Sequence, residues 1–381
     1  VIMVTMDAKI RVYTDFDPAA NPCMKQWVVS AQNAFSGNTR AYVADFDGDG
    51  IAEIFVGNDV FKLDLTNPTV PLLTRILDGN GPSGMLVAYG QIESPTAADL
   101  LSRADCNGDP DCDGLEIAAG FQIYSIDMDP TDGDGFEIKV QRNLNVLNPN
   151  HAVRDGYTCV ADLNLDGVPE IIVSGRRDNQ AGIYVWNKNG FVQAFNTPSI
   201  TNMYGMVSVA NVFDDKTAGF AQDFPELIVT QMGRIFCFNV QKAQSTPFIP
   251  EWWSLPVLDG SGLTGVSSFD FNGDGLLEIV YRDEVNLRIM YGGAAPFPVG
   301  VDSERNWYKT LAGSGTYDEY PVVADVDNDG EAEIAVTSFT FGGVNNPRIV
   351  GCVINKVGAP VDEHGVTRPD LTEMFEAHHH M

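Results

Sequence analysis

The chain has 381 residues, 44% of them hydrophobic, which is enough apolar material for a substantial buried core. Its formal net charge of −29 at pH 7 argues against nucleic acids and anionic membranes as partners, because both are negatively charged themselves. No apolar run approaches the length that a membrane-spanning helix needs.

The first motif along the chain is an acidic loop between two predicted strands. Its positions 1, 3, 5, 7 and 9 are Asp45, Asp47, Asp49, Ile51 and Glu53, with Gly50 at position 6. Carboxylates this close together repel one another unless a hard cation lies among them, and oxygen-only ligands favour Ca²⁺. At position 7 the ligand would be the backbone carbonyl. We therefore predict a calcium loop here.

This loop differs from an EF-hand, whose loop is longer, ends in a bidentate Glu and lies between helices. Position 12 is Val56, and the last acid comes early, at Glu53. The run Ile54-Phe55-Val56 is apolar and partly β-branched, which favours a strand. The predicted unit is therefore a strand, a calcium loop and a second strand.

An altered copy follows, in which Gly at position 6 is replaced by Pro110. Its predicted ligands at positions 1, 3, 5, 7 and 9 are Asp105, Asn107, Asp109, Asp111 and Asp113. A second alignment, which starts at Asp99 and contains a long insertion, stays open. Cys106 and Cys112 flank this loop closely enough to form a disulfide.

Three further copies keep the regular spacing, and repetition makes chance a poor explanation. Their predicted ligands are Asp162, Asn164, Asp166, Val168 and Glu170; Asp270, Asn272, Asp274, Leu276 and Glu278; and Asp325, Asp327, Asp329, Glu331 and Glu333. A further copy, between Asn211 and Glu226, has an insertion and lost its spacing, so we predict no metal there. In total we expect about five Ca²⁺ sites.

The repeated loop and the strand that follows it resemble the FG-GAP or VCBS repeats, the calcium-loop β-propeller repeats of integrin α-chains and of many secreted bacterial surface proteins. The resemblance covers about residues 1 to 355. The Phe-Gly/Gly-Ala-Pro element that names the family is matched only weakly, at Tyr291-Gly292-Gly293-Ala294-Ala295-Pro296. The resemblance implies a β-propeller stabilised by calcium.

Strand-like runs recur seven times at spacings of roughly 50 to 65 residues, without sustained helical periodicity. The innermost runs are apolar at consecutive positions, which indicates burial on both faces. We predict an all-β fold, a seven-bladed β-propeller of four-stranded antiparallel blades with calcium-binding inter-strand loops, over residues 1–355. The first blade lacks its first strand, and residues 356–381 are predicted to be a C-terminal tail or linker.

The sequence contains no nucleophile elbow, zinc motif, phosphate loop or dinucleotide fingerprint. We therefore expect a non-enzymatic, calcium-stabilised binding or adhesion module within a larger secreted or cell-surface protein. The lack of Asn-x-Ser/Thr sequons favours a bacterial source. The expected partners are a protein or glycan ligand on one propeller face and flanking domains of the same chain. The alternatives are a carbohydrate-active propeller enzyme similar to polysaccharide lyases, and a lectin.

Overall fold

The computed structural model describes residues 2–5, 7–14, 25–34, 40–67, 70–78, 94–129, 131, 135–147, 154–177, 180–196, 205–216, 222–231, 233–239, 252–262, 264–271, 273–290, 293–294, 306–310, 320–324, 332–339, 347–355 and 370–378. Within these residues the fold is all-β, with two short 3-10 turns and a single helical turn, Leu144–Leu147. The chain divides into two compact units. Unit 1 is Val1–Asp162 and Gly167–Ser199, and unit 2 is Leu163–Asp166 and Ile200–Met381.

Unit 1 contains four antiparallel sheets, in each of which the strands neighbour one another in chain order. The first sheet has β1 (Ile2–Val4), β2 (Ile10–Thr14) and β3 (Lys25–Val29), and the second has β4 (Tyr42–Ala44), β5 (Glu53–Val56), β6 (Asp59–Asp64) and β7 (Leu72–Leu77). The third has β8 (Thr96–Ala98), β9 (Glu116–Ala119), β10 (Gln122–Asp127) and β11 (Glu137–Asn143), and the fourth has β12 (Arg154–Ala161), β13 (Glu170–Arg177), β14 (Gln180–Asn187) and β15 (Gly190–Asn196).

Unit 2 repeats the same topology in three four-stranded antiparallel sheets. Their strands are β16 (Val207–Ala210), β18 (Glu226–Gln231), β19 (Arg234–Asn239) and β20 (Trp252–Pro256); β21 (Val266–Phe269), β22 (Glu278–Arg282), β23 (Asn286–Met290) and β25 (Asn306–Thr310); and β26 (Val322–Ala324), β27 (Glu333–Phe339), β28 (Pro347–Asn355) and β29 (Asp370–His378). Two short strands, β17 (Phe213–Asp214) and β24 (Gly293–Ala294), form a separate parallel pair.

Consecutive sheets of unit 1 pack against one another through their inner strands. In β5, Ile54 and Val56 pack into a core shared with the first sheet, whereas Phe55 packs into a core shared with the third. In β9, Ile117 packs into the core shared with the second sheet, and Ala118 packs into a core shared with the fourth. Successive side chains of a strand point to opposite faces. Burial on both faces therefore explains why these strands are apolar at consecutive positions, as predicted.

The four-stranded antiparallel sheets predicted from the sequence are thus confirmed for six sheets among the described residues. Their closure into a seven-bladed propeller stays a prediction. The C-terminal segment 356–381 differs from the predicted tail, because its residues Asp370–His378 form β29 and pair with β28. The open edge of β28 offers backbone hydrogen bonds that a solvated tail would leave unused. The other residues of 356–381 lie outside the described ranges.

Gly156 shows how closely two strands of the fourth sheet approach one another. It lies at a bulge in β12, between Arg154 and Tyr157. A Cβ atom at this position would lie 1.9 Å from the backbone oxygen of Ser174 on β13. The neighbouring atom is backbone, so it cannot rotate away, and only glycine fits without moving a strand.

We expect Gly156→Ala to lower the free energy of unfolding by about 2 kcal/mol, because the added methyl group forces the strands apart. Gly114→Ala is the matched control, since its Cβ would meet only the backbone oxygen of Phe46 at an ordinary 3.6 Å. Urea unfolding of both variants checks this prediction. Equal stability of the two variants would contradict the close approach.

Candidate metal loops

A buried glutamate begins the second strand of six sheets, and we call these residues the anchor glutamates. They are Glu53, Glu116, Glu170, Glu226, Glu278 and Glu333, each no more than 2% exposed. In five of these copies the anchor glutamate pairs across the strands with the residue that precedes loop position 1, and Glu116 pairs with Ala98, which precedes Asp99. The pairs are Ala44↔Glu53, Ala98↔Glu116, Ala161↔Glu170, Ala210↔Glu226, Phe269↔Glu278 and Ala324↔Glu333.

The anchor glutamates fasten the start of the loop through its backbone. Oε2 of Glu53 accepts a hydrogen bond from the N–H of Phe46 at 3.0 Å, and Oε2 of Glu278 accepts one from Phe271 at 2.7 Å. Oε2 of Glu116 accepts from two consecutive amides, at 2.7 and 3.1 Å, and Oε2 of Glu226 does the same at 2.8 and 3.3 Å. In each of these four glutamates, one carboxylate oxygen is therefore committed to the backbone of the loop.

The first loop brings three predicted ligands together. One oxygen each from Asp45, Asp47 and Asp49 lie within 4.8 Å of one another. Oδ1 of Asp45 accepts the N–H of Asp49 at 3.1 Å, and its Oδ2 accepts that of Gly50 at 2.9 Å. These backbone bonds close the loop around the carboxylates. Among the described residues, this is the one place where three acidic, His or Cys side chains are grouped so closely.

The loop that begins at Asp270 has the same backbone arrangement. Oδ1 of Asp270 accepts the N–H of Asp274 at 3.2 Å, and its Oδ2 accepts that of Gly275 at 3.0 Å. Leu276 donates its N–H to Oδ1 of Asp274 at 2.8 Å. Each of these bonds has its counterpart in the first loop. Asn272, the predicted ligand at position 3, lies outside the described residues.

The loop that begins at Asp162 shares the backbone conformation. Position 4 has a positive φ in all three loops, 68° at Gly48, 57° at Leu165 and 72° at Gly273. Position 6 is a glycine with φ between 86° and 90° in each. The N–H of Gly167 donates to Asp162 at 2.7 Å, and that of Asp166 donates to Asn164 at 2.8 Å. Val168 and the anchor Glu170 complete the predicted set. The spacing thus encodes one loop geometry three times.

The predicted ligands between Asp105 and Asp113 are arranged differently. Residues Arg103–Cys106 and Pro110–Cys112 form two 3-10 turns that are joined by a disulfide between Cys106 and Cys112, which confirms that predicted bridge. Their acidic side chains form ion pairs with three separate bases and, among the described residues, are not grouped as closely as those of the first loop. The ion pairs are Lys188 with Asp105 at 2.8 Å, Lys139 with Asp111 at 2.9 Å and with Asp109 at 3.6 Å, and Arg103 with Asp113 at 2.7 Å, while Asn107 is an exposed 3-10 cap.

The position of Glu116 favours the second alignment, which starts at Asp99. Glu116 pairs with Ala98 just as Glu53 pairs with Ala44. On this alignment the disulfide-bridged turns are an insertion between Asp99 and Glu116. Sequence spacing missed Glu116 as a ligand candidate, although Glu116-Ile117 matches Glu53-Ile54 and Glu278-Ile279. Oε1 of Glu116 is buried without a hydrogen-bond partner.

Of the last predicted loop, Asp325, Asp327, Asp329 and Glu331 lie outside the described residues, and Glu333 is buried. The described anchor glutamates fit a hard divalent cation. Burial raises the pKa of Glu53 above its usual range, and it raises the pKa of Glu116 and of Glu278 to about 7. A bound cation would offset the cost of burying these charges, and all the donors are oxygen, as Ca²⁺ prefers.

Comparison with known proteins gives a repeat match and a similar fold. Residues 270–336 match the FG-GAP-like repeat family, a span that runs from Asp270 through Val336. The crystal structure of the V. cholerae biofilm matrix protein Bap1 is similar, with a TM-score of 0.50 and 14% identity, over 88% of this chain and 82% of that one.

Short segments also match curated enzymes. The phosphate acetyltransferase of Haemophilus influenzae is 60% identical over 40 residues, which are 10% of this chain and 6% of the enzyme. That of Escherichia coli K12 is 46% identical over 52 residues, 14% of this chain and 7% of the enzyme. Among the described residues, no helix has the length and hydropathy to cross a membrane. The chain thus contains an FG-GAP-like repeat over residues 270–336, within a fold similar to that of Bap1.

Proposed function

We propose that this chain is a calcium-stabilised, non-enzymatic binding module of an extracellular or cell-surface protein. The observation that carries the proposal is one loop geometry repeated at Asp45, Asp162 and Asp270, with the same backbone hydrogen bonds to the position-1 carboxylate. Such loops hold together acidic side chains that would otherwise repel one another. A bound cation would therefore stabilise the protein mainly by fixing the shape of the loop. Their role would be structural.

The finer architecture is part of the same proposal. Seven antiparallel sheets, each a chain-order meander, supply the number of blades for a seven-bladed propeller. The ligands would be Asp45, Asp47, Asp49 and Glu53 in the first loop, and their counterparts in the others. Calcium affinities of extracellular modules are about 10⁻⁴ to 10⁻³ M, which suits a setting where calcium is abundant. Bap1 is a biofilm matrix protein, and we propose a comparable extracellular setting here.

The ligand is proposed to be a protein or a glycan that docks on loops away from the calcium loops. One turn of this kind, Arg282-Asp283-Glu284, is largely internal, since Arg282 is 1% and Asp283 0% exposed. Asp283 accepts a hydrogen bond from Nε of Arg288 at 2.7 Å. That turn therefore stabilises its sheet. We propose that the docking surface lies on other loops between strands.

A glycan array with the purified chain, run with calcium and with EDTA, tests this function. We expect binding to a restricted set of glycans that is lost in EDTA, and no cleavage of polysaccharides. Absorbance from unsaturated products of an acidic polysaccharide, abolished by one substitution, would instead establish a lyase. Binding that is equal in calcium and EDTA would contradict a calcium-stabilised surface.

A further inference from the structure

The residue opposite the anchor glutamate on the following strand is not the same in all copies. Glu226 pairs with Asn239 and Glu333 pairs with Val353. The pairs Ile54↔Phe61, Ile117↔Tyr124 and Ile171↔Trp186 lie next to three other anchor glutamates. Extending this register by one residue gives the residues opposite Glu53, Glu116 and Glu170. The described positions are therefore Lys62, Ser125, Asn187, Asn239 and Val353. Among these five, Lys62 is the one with a charged side chain.

The ammonium of Lys62 lies among the predicted ligands of the first loop. Its Nζ is hydrogen-bonded to Asp47 and lies 3.1 Å from Oδ2 of Asp49. It also lies 3.5 Å from Oε1 of Glu53. Glu53 is 0% exposed, and its Oε1 makes no hydrogen bond. This buried oxygen is aimed at the same point as the exposed aspartates, where a cation would lie.

The third copy shows what a neutral side chain does at this position. There Asn187 donates its amide N–H to Oε1 of Glu170 at 3.4 Å. An amide satisfies one lone pair without adding charge. Lys62 instead brings a full positive charge to the carboxylates, held by a flexible stem. Its side chain is 31% exposed, so it has a route to solvent.

From these contacts we propose that Lys62 is a tethered cation that competes with a divalent ion for Asp47, Asp49 and Glu53. An ammonium and a Ca²⁺ ion cannot share one oxygen cage, because both need the same lone pairs and repel each other. Lys62 therefore keeps the first loop closed without metal and lowers its divalent affinity. This inference rests on the proposed calcium-binding function.

The test compares Lys62→Met with Lys9→Met, which removes the same charge from a lysine that contacts the backbone oxygen of Ala31. Calcium affinity is measured by isothermal titration calorimetry, and metal-free stability by thermal melting in EDTA. Methionine keeps the length of the side chain, so packing changes little. We expect Lys62→Met to raise affinity at one site roughly tenfold and to lower the metal-free melting temperature.

A double variant assigns the gain to this loop. In Lys62→Met combined with Asp49→Asn, the tighter site should be absent, because a ligand is lost. If wild-type protein binds calcium but Lys62→Met and Lys9→Met bind it equally, the competition proposal is wrong while the calcium function stands. If no variant binds calcium, both are wrong. Binding that appears only in Lys62→Met would support the competition directly.

Discussion

Without metal, the free energy of unfolding is expected to fall by about 5 kcal/mol between pH 5 and pH 8. Burial raises the pKa of Glu116 and of Glu278 from the ordinary 4.5 to about 7. The folded protein therefore binds these two protons more tightly than the unfolded chain does. Stability is highest where both carboxyls are protonated and is lost as the pH rises from about 4.5 through 7. Each glutamate accounts for roughly half of the change.

Urea unfolding in EDTA across this pH range checks the prediction. Aspartates with a lowered pKa, such as Asp105 beside Lys188, have their effect below the ordinary value of 3.8, outside this window. The double variant Glu116→Gln/Glu278→Gln is the control, and its stability should depend much less on pH. A wild-type stability that is constant or rises toward pH 8 in EDTA would contradict the burial of these charges.

Replacing Glu278 separates its backbone role from its charge. Glu278→Ala removes the acceptor for the N–H of Phe271 and leaves a cavity, so we expect a loss of about 3 kcal/mol. Glu278→Gln keeps an acceptor of the same shape. At pH 8 in EDTA it should be at least as stable as wild type, because no buried charge remains. In calcium it should gain less stability than wild type, because a ligand oxygen carries no charge.

Chemical unfolding with calcium and with EDTA measures both effects. Glu137→Ala is the matched control, since its side chain is 42% exposed and forms a surface ion pair with Lys139. Its expected effect is within about 0.5 kcal/mol. If Glu278→Ala were as mild as Glu137→Ala, the anchor glutamate would not fasten the loop.

Most of the sheet structure was predictable because the apolar runs are short, β-branched and bounded by turn residues. Ile54-Phe55-Val56 is buried throughout, on two opposite faces, and consecutive apolar residues signal that arrangement. The turns of the loops were equally predictable from the sequence, since Gly50, Gly167 and Gly275 have nearly equal positive φ angles of 86° to 90°. Local chemistry determines these features, so local sequence reveals them.

The third sheet was harder to read because spacing alone cannot distinguish a ligand series from an insertion. The alternating acids of Asp105 to Asp113 match the motif. They nevertheless pair with Lys139 and Lys188, which are distant in sequence, and with Arg103. The tertiary fold brings Lys139 and Lys188 close to these acids. A search for the Glu-Ile start of the second strand would have found Glu116.

The C-terminal strand is hard to predict for a related reason. Residues 356–381 are rich in Pro, Gly and charge, which suggested a tail. In the structure Asp370–His378 pairs with Pro347–Asn355, so the partner strand supplies the hydrogen bonds that the segment's own composition does not predict. Edge strands often depend on such pairing more than on their own propensity.

Calcium titration of the purified chain, followed by melting with and without EDTA, tests whether the acidic loops hold metal. We expect calorimetric binding of several ions, about five, and a melting temperature that falls markedly when EDTA removes them. Asp45→Ala should lower both the number of ions and the melting temperature in calcium. No heat of binding, together with an unchanged melting temperature after exhaustive chelation, would contradict the claim that these acidic loops hold metal.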